Sequence, residues 1–129
     1  MKGQSFLLLF ITSAIAWSLV ACGSTQPVFK TVDAAHARPL AAKRNLVVLD
    51  LRTPEEYSEG HLPNAVNIDY LDPSFTDKIR ELNKKKKYMV YCRSGKRSTQ
   101  AMEIMKQQNF KNVTNMLGGM LQWQGPVVK

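Results

Sequence analysis

The 129-residue chain predicts an α/β domain with a mainly parallel sheet. Three observations carry this. Leu46-Val47-Val48-Leu49 and Tyr88-Met89-Val90-Tyr91 are continuous apolar runs without polar alternation, as strands covered on both faces require. Segments with helical spacing follow such runs, with Phe75, Ile79 and Leu82 on one face and Ala101, Met102, Met105 and Ile104 on another. Strand-like and helical stretches therefore alternate, the pattern that builds a parallel sheet with crossover helices.

The totals bound the rest. At 44% hydrophobic and 22% charged, the composition is that of a globular chain with room for one domain. The net charge of +8, with a pI near 9.7, gives a basic surface. No nucleic-acid motif is visible and no aromatics interleave the basic run, so small anions or anionic headgroups fit better than nucleic acid. Cys22 and Cys92 lie in unlike surroundings and do not read as a disulfide framework. Neither a cofactor nor a metal is expected; the methionines read as core filling. A monomer is expected.

Residues 1–21 read as a signal peptide: Lys2 is the basic start and Phe6 to Val20 the apolar region, short for a membrane span. Leu19-Val20-Ala21-Cys22 resembles the bacterial lipobox. That resemblance implies cleavage before Cys22, a diacylglycerol on its sulfur and a palmitate-type acyl group on its new amino end. The mature protein would then be a lipoprotein of the cell envelope, on the periplasmic side of either membrane in a Gram-negative cell or on the outer face in a Gram-positive one. Gly23, rather than Asp, leaves outer-membrane sorting open. Residues 22–27 would be the lipidated tether and 28–129 the domain. Cys92 would be the single free thiol after processing, so turnover would need an external acceptor.

Within the domain, Val28 to Val32 suits a short edge strand. Asp33 can cap a helix through Ala37, and Pro39 is expected to kink or end it. His36 reads as a surface residue. After the strand at Leu46 comes a polar stretch with Asp50, Arg52, Glu56 and His61, in which Arg52 is expected to pair with Glu56 across a turn. Ala65 to Ile68 suits a second parallel strand, Tyr70 to Pro73 a turn, and Phe75 to Leu82 a helix ended by Asn83. Lys84 to Lys87 reads as a solvated loop, with contact to anionic lipid as the other reading. Val113 to Leu117 brings in the last strand, and Trp123 is expected to pack over the core.

The chemistry points to Tyr91-Cys92-Arg93-Ser94-Gly95-Lys96-Arg97-Ser98, where a buried strand gives way to a helix. Inward-facing amides of a tight loop, the positive end of the helix dipole and the cations Arg93, Lys96 and Arg97 each favour thiolate over thiol. The thiolate is the nucleophile.

This loop resembles the active-site loop of the rhodanese-like sulfurtransferases, with four residues between Cys92 and Arg97. Related phosphatases have five, and the tighter loop suits a sulfane sulfur rather than a phosphate. The resemblance extends to Asp50-Leu51-Arg52, Glu56-Tyr57, Gly60-His61 and Ala65-Val66-Asn67-Ile68, with Asn64 in place of the usual Gly, and to Gly118-Gly119 and Trp123. It implies a five-stranded sheet with helices on both faces and sulfur transfer from a small anionic donor such as thiosulfate to cyanide or a thiol, through a Cys92 persulfide. Arg93, Ser94, Gly95, Lys96 and Arg97 would bind the donor or shape the loop. Asp50, Arg52, Glu56 and His61 would support it, in preference to a Cys92–His61–Asp50 triad. Three other functions stay open: a non-catalytic binding or persulfide-carrier module, a Cys-dependent phosphatase or arsenate reductase, and a structural membrane-associated protein with Cys92 as a small buried hydrophobe.

Overall fold

The computed structural model describes residues 23 and 25–129. The leader and Cys22, with the signal-peptide and lipid expectations, lie outside the described residues. Five strands run as β1 (Val28–Val32), β2 (Leu46–Asp50), β3 (Val66–Asn67), β4 (Lys87–Tyr91) and β5 (Asn112–Met116). They form one parallel sheet in the order β1-β5-β4-β2-β3, with β1 at an edge and β4 in the middle. An isolated antiparallel bridge joins His61 to Val128.

Helices α1 (Ala34–Ala41), α2 (Pro54–Glu59), α3 (Phe75–Arg80), α4 (Lys96–Gln107) and α5 (Gly119–Gln122) fill the connections. Side chains alternate across each strand, so the central strands feed two cores. Tyr88 and Val90 join Leu49, Val113, Ile79, Ala101 and Met105 in one. Met89 and Tyr91 join Val48, Met116, Ala34 and Ala37 in the other, against which Trp123 packs. Both faces of the sheet are covered, which is why β2 and β4 read as unbroken apolar runs.

Several elements differ from expectation. Pro39 does not end α1, which continues to Ala41. The ring removes one bond near the helix end, on the exposed side, while Asp33 caps the start and Ala34 and Ala37 anchor the inner face. Packing thus outweighs the lost hydrogen bond. The strand expected over Ala65 to Ile68 pairs with β2 only at Val66–Asn67. The helix expected to reach Leu82 ends at Arg80, though Leu82 still packs against the core. Asn64, standing where glycine was expected, adopts φ 60°, a left-handed conformation that asparagine tolerates.

Candidate active site

Parallel strands place their carboxyl ends at one edge, where α/β proteins hold ligands. Cys92 follows the last residue of β4, the middle strand, and the next residues turn into α4. Gly95 makes this turn at φ 101°, in a left-handed conformation suited to glycine. Its N–H then donates to Cys92 Sγ at 3.1 Å. The Cys92 thiol donates to Ser98 Oγ at 3.7 Å, and the backbone of Ser94 and Ser98 also favours the ionised sulfur.

The loop turns its amides inward because its carbonyls are taken elsewhere. Met120 N–H donates to Cys92 O at 2.9 Å and Leu121 N–H to Arg93 O at 3.0 Å. Gly95 O accepts from Ser98 Oγ, Thr99 Oγ1 and Thr99 N–H. This clamp needs Gly119, since a Cβ there would stand 2.2 Å from Cys92 O and 2.6 Å from Arg93 O. The expectation that the paired glycines let the backbone pass close to this loop therefore has a specific contact behind it.

Cys92 has no exposed surface. Burial alone would raise its pKa, but the hydrogen bonds from Ser98, Gly95 and Ser94 outweigh that and leave it below the ordinary cysteine value. The buried sulfur receives the Gly95 N–H and lies beside the Ser98 hydroxyl. Arg93, Ser94 and Lys96 are exposed on the outer side of the loop.

Arg97 turns back from α4 to Glu56 in a two-pronged ion pair, with Nη1 to Oε2 at 2.8 Å and Nη2 to Oε1 at 2.9 Å. This corrects the expected Arg52–Glu56 pair. The reason is local: Thr53 and Glu56 form a capping box, with Pro54 in the first turn, and α2 thereby aims the Glu56 carboxylate at Arg97. The Arg97 hydrogen bonds hold the Glu56 carboxyl at about 2. In turn Glu56 raises the Arg97 pKa, and the neighbouring Cys92 sulfur adds to the rise.

Arg52 instead folds onto Asp50, its Nη2 donating to Oδ2 at 2.6 Å, and also donates to Gly60 O at 2.7 Å. Tyr91 Oη donates to the same Asp50 oxygen at 2.6 Å and accepts from Leu62 N–H. Burial, reinforced by the Asp50 charge, raises the Tyr91 pKa well above the tyrosine range. Asp50, Arg52 and Tyr91 are all buried, and the network ties β2, β4 and the 60–62 segment together beneath the loop. His61 stacks on Tyr57 at 3.6 Å and directs Nδ1 to Tyr57 O at 3.0 Å. No hydrogen bond joins His61 to Cys92 or Asp50 among the described residues, so the three do not form a triad.

Comparison with known proteins decides the family. The model of the Rhodanese-like domain matches residues 33–126. The chain belongs to the rhodanese-like family. The Bacillus subtilis strain 168 protein YtwF, provisionally named a sulfurtransferase, is 39% identical over 92 residues, which is 71% of this chain and 86% of that one. Thiosulfate sulfurtransferase GlpE of Coxiella burnetii is 28% identical over 97 residues, covering 75% of this chain and 89% of that protein. A solved rhodanese-related protein from Thermoplasma volcanium superposes with a TM-score of 0.68 at 30% identity, over 77% of this chain and 97% of that one. The five-stranded α/β fold with helices is the fold of this family.

Two participants in this rhodanese-like site were not singled out from the sequence. Ser98, the last residue of the Cys92 stretch, sits in the first turn of α4 against the sulfur. Tyr91 was read as strand filling, and its hydroxyl carries the link between Asp50 and Leu62. A hydroxyl at the end of an apolar run is the available signal for the second, since a buried phenol needs a partner.

Proposed function

We propose that this rhodanese-like protein moves a sulfane sulfur from a small anionic donor such as thiosulfate to a thiophilic acceptor through Cys92. The observation that carries the reading is the Gly95 N–H donating at 3.1 Å to a Cys92 sulfur at the end of the central strand, with Ser98 Oγ beside it and a pKa held below the ordinary cysteine value. The Cys92 thiolate attacks the donor's outer sulfur. A sulfur–sulfur bond to Cys92 forms, the bond to the sulfonyl sulfur breaks, and its electron pair leaves with sulfite. A cyanide ion or thiolate then attacks the outer sulfur of the persulfide and returns Cys92 as thiolate. Donors aimed at the place where negative charge sits or develops are a strong catalytic contribution. In the resting protein they hold the Cys92 anion; in the second step they receive it back.

Arg93 and Lys96, exposed and outside any ion pair among the described residues, attract the anionic donor at the mouth of the loop. Arg97 fixes the loop's outer wall through Glu56 and adds positive charge beside the sulfur. The name of the GlpE relative supports thiosulfate as a first donor to try. We further propose that Cys22 carries the lipid its lipobox-like sequence implies, making this a cell-envelope enzyme. The testing experiment is sulfur transfer from a panel of sulfane donors to cyanide and to small thiols, wild type against Cys92→Ala. Thiosulfate-dependent product that disappears in the variant is expected. Product formation by Cys92→Ala near the wild-type rate would refute the mechanism.

A further inference from the structure

The sheet is parallel throughout its strands, so every strand starts at the edge opposite Cys92. The segments leading into those starts carry lysines: Lys43 before β2, Lys84 to Lys87 into β4, and Lys111 before β5. They meet in space. A shallow groove is lined by Lys85, Lys87 and Lys111 together with Thr25, Gln26 and Val28. A second is lined by Lys30, Lys43 and Lys87, again with Val28. Lys87 and Val28 are common to both, so the two form one cationic surface around the point where the chain enters the fold. No acidic residue lines either groove, and none of Lys30, Lys43, Lys85, Lys87 or Lys111 takes part in an ion pair among the described residues. Half of the ten carboxylates, Asp33, Asp50, Glu56, Asp69 and Asp72, lie at or beyond the carboxyl ends of β1, β2 and β3, while Glu81 at the end of α3 stands ahead of the lysine run without lining either groove.

We propose that this amino-edge surface docks on an anionic lipid bilayer and so turns Cys92 toward the aqueous side. The choice of a lipid partner rests on the anchor proposed at Cys22; the surface itself does not. Residues 22–27 reach at most roughly 20 Å when extended. An anchored Cys22 would therefore keep Val28, and the lysines around it, within reach of the headgroups. The five residues of β4 place Cys92 roughly 17 Å further from that edge. A tether alone would leave the domain free to tumble. Attraction between the lysines and anionic headgroups would select the orientation in which the loop is open to donor and acceptor.

The test uses the chain from Gly23 onward with no lipid attached. It retains both cores and all five strands, and the aligned part covers 97% of a solved relative that folds as a separate chain. Co-sedimentation is measured with phosphatidylcholine vesicles, with and without phosphatidylglycerol. Two charge-matched variants are compared, Lys85→Gln/Lys87→Gln at the docking edge and Arg93→Gln/Lys96→Gln at the opposite edge. We expect binding only with phosphatidylglycerol, roughly 30-fold weaker for the first pair and unchanged for the second. Equal losses from both pairs would mean that net charge rather than this surface binds, and would overturn the proposal. So would tighter binding to duplex DNA than to the vesicles at the same salt concentration. The mass of Cys22 in protein extracted from membranes tests the anchor separately: an unacylated Cys22 would end that reading, while selective vesicle binding would still uphold the docking surface.

Discussion

Two polar constructions sit side by side at the carboxyl edge of the sheet, and they are built on opposite terms. Around Asp50 every strong partner is already present: Arg52 neutralises it, Tyr91 donates to it, and the Arg52 backbone N–H adds a third bond. Such a closed buried network has no capacity left for a ligand. Around Cys92 the sulfur receives the Gly95 N–H, and the Arg97 charge beside it is committed to a two-pronged ion pair with Glu56. The sulfur anion is held by dipoles and remains free to form a bond. The difference teaches where to look for chemistry in this fold: a buried carboxylate with all its partners is a brace, whereas a sulfur that is hydrogen-bonded but has no ion pair of its own is a reagent.

Breaking the brace should give the largest effect on stability. Arg52→Met leaves Asp50 buried without its cation, and a loss of about 3–5 kcal/mol in urea unfolding is expected. The fraction still folded should keep a Cys92 that alkylates below the ordinary cysteine pH range. If stability held and only sulfur transfer fell, Arg52 would belong to the reagent side of the comparison. Glu56→Gln tests the boundary between the two constructions. Releasing Arg97 should lower sulfur transfer by roughly 10- to 100-fold through misplacement of the loop wall, with a smaller change in unfolding free energy.

The same pair sets an acid response. The folded Glu56 carboxyl is held at about 2, below its ordinary 4.5, so its contribution is complete above the higher value and is lost as pH falls through the lower one. Thermal unfolding should show that loss, on the order of 2 kcal/mol, and Glu56→Gln should flatten it. Ser98→Ala should have the smallest effect. The Ser98 hydroxyl donates to Gly95 O while Cys92 is a thiol and is placed to turn its hydrogen to the sulfur on ionisation, so its loss should move the alkylation profile of Cys92 to higher pH and slow alkylation at neutral pH roughly 2- to 10-fold. An unchanged profile would assign the lowered pKa to the backbone amides alone.

The fold was largely legible because its central strands are covered on both sides. Leu46 to Leu49 and Tyr88 to Tyr91 announced themselves as buried, and the edge strand at Val28 began and ended as read. What was not legible depended on partners distant in sequence. Arg52 has three carboxylates within four residues, Asp50, Glu55 and Glu56, and the local sequence does not say which it pairs with. Asp50 is buried with a second donor in Tyr91, 41 positions away, whose hydroxyl is in turn held by Leu62 N–H. Glu56 pairs with Arg97 through a helix whose local signal is Thr53-Pro54-Glu55-Glu56, a capping box that turns the carboxylate away from Arg52. The loop containing Cys92 was readable as a thiolate site from its residues. The clamp that orients it, Met120 and Leu121 on two carbonyls, was foreshadowed only by the paired glycines.

The most direct test of the central claim is intact-protein mass spectrometry of wild type and Cys92→Ala after incubation with thiosulfate, followed by cyanide. The account predicts that the wild type gains one sulfur atom on Cys92, with sulfite released in equal amount, and loses it again to cyanide as thiocyanate. A wild-type protein that stays at its original mass with thiosulfate and with every other sulfane donor tried would contradict it.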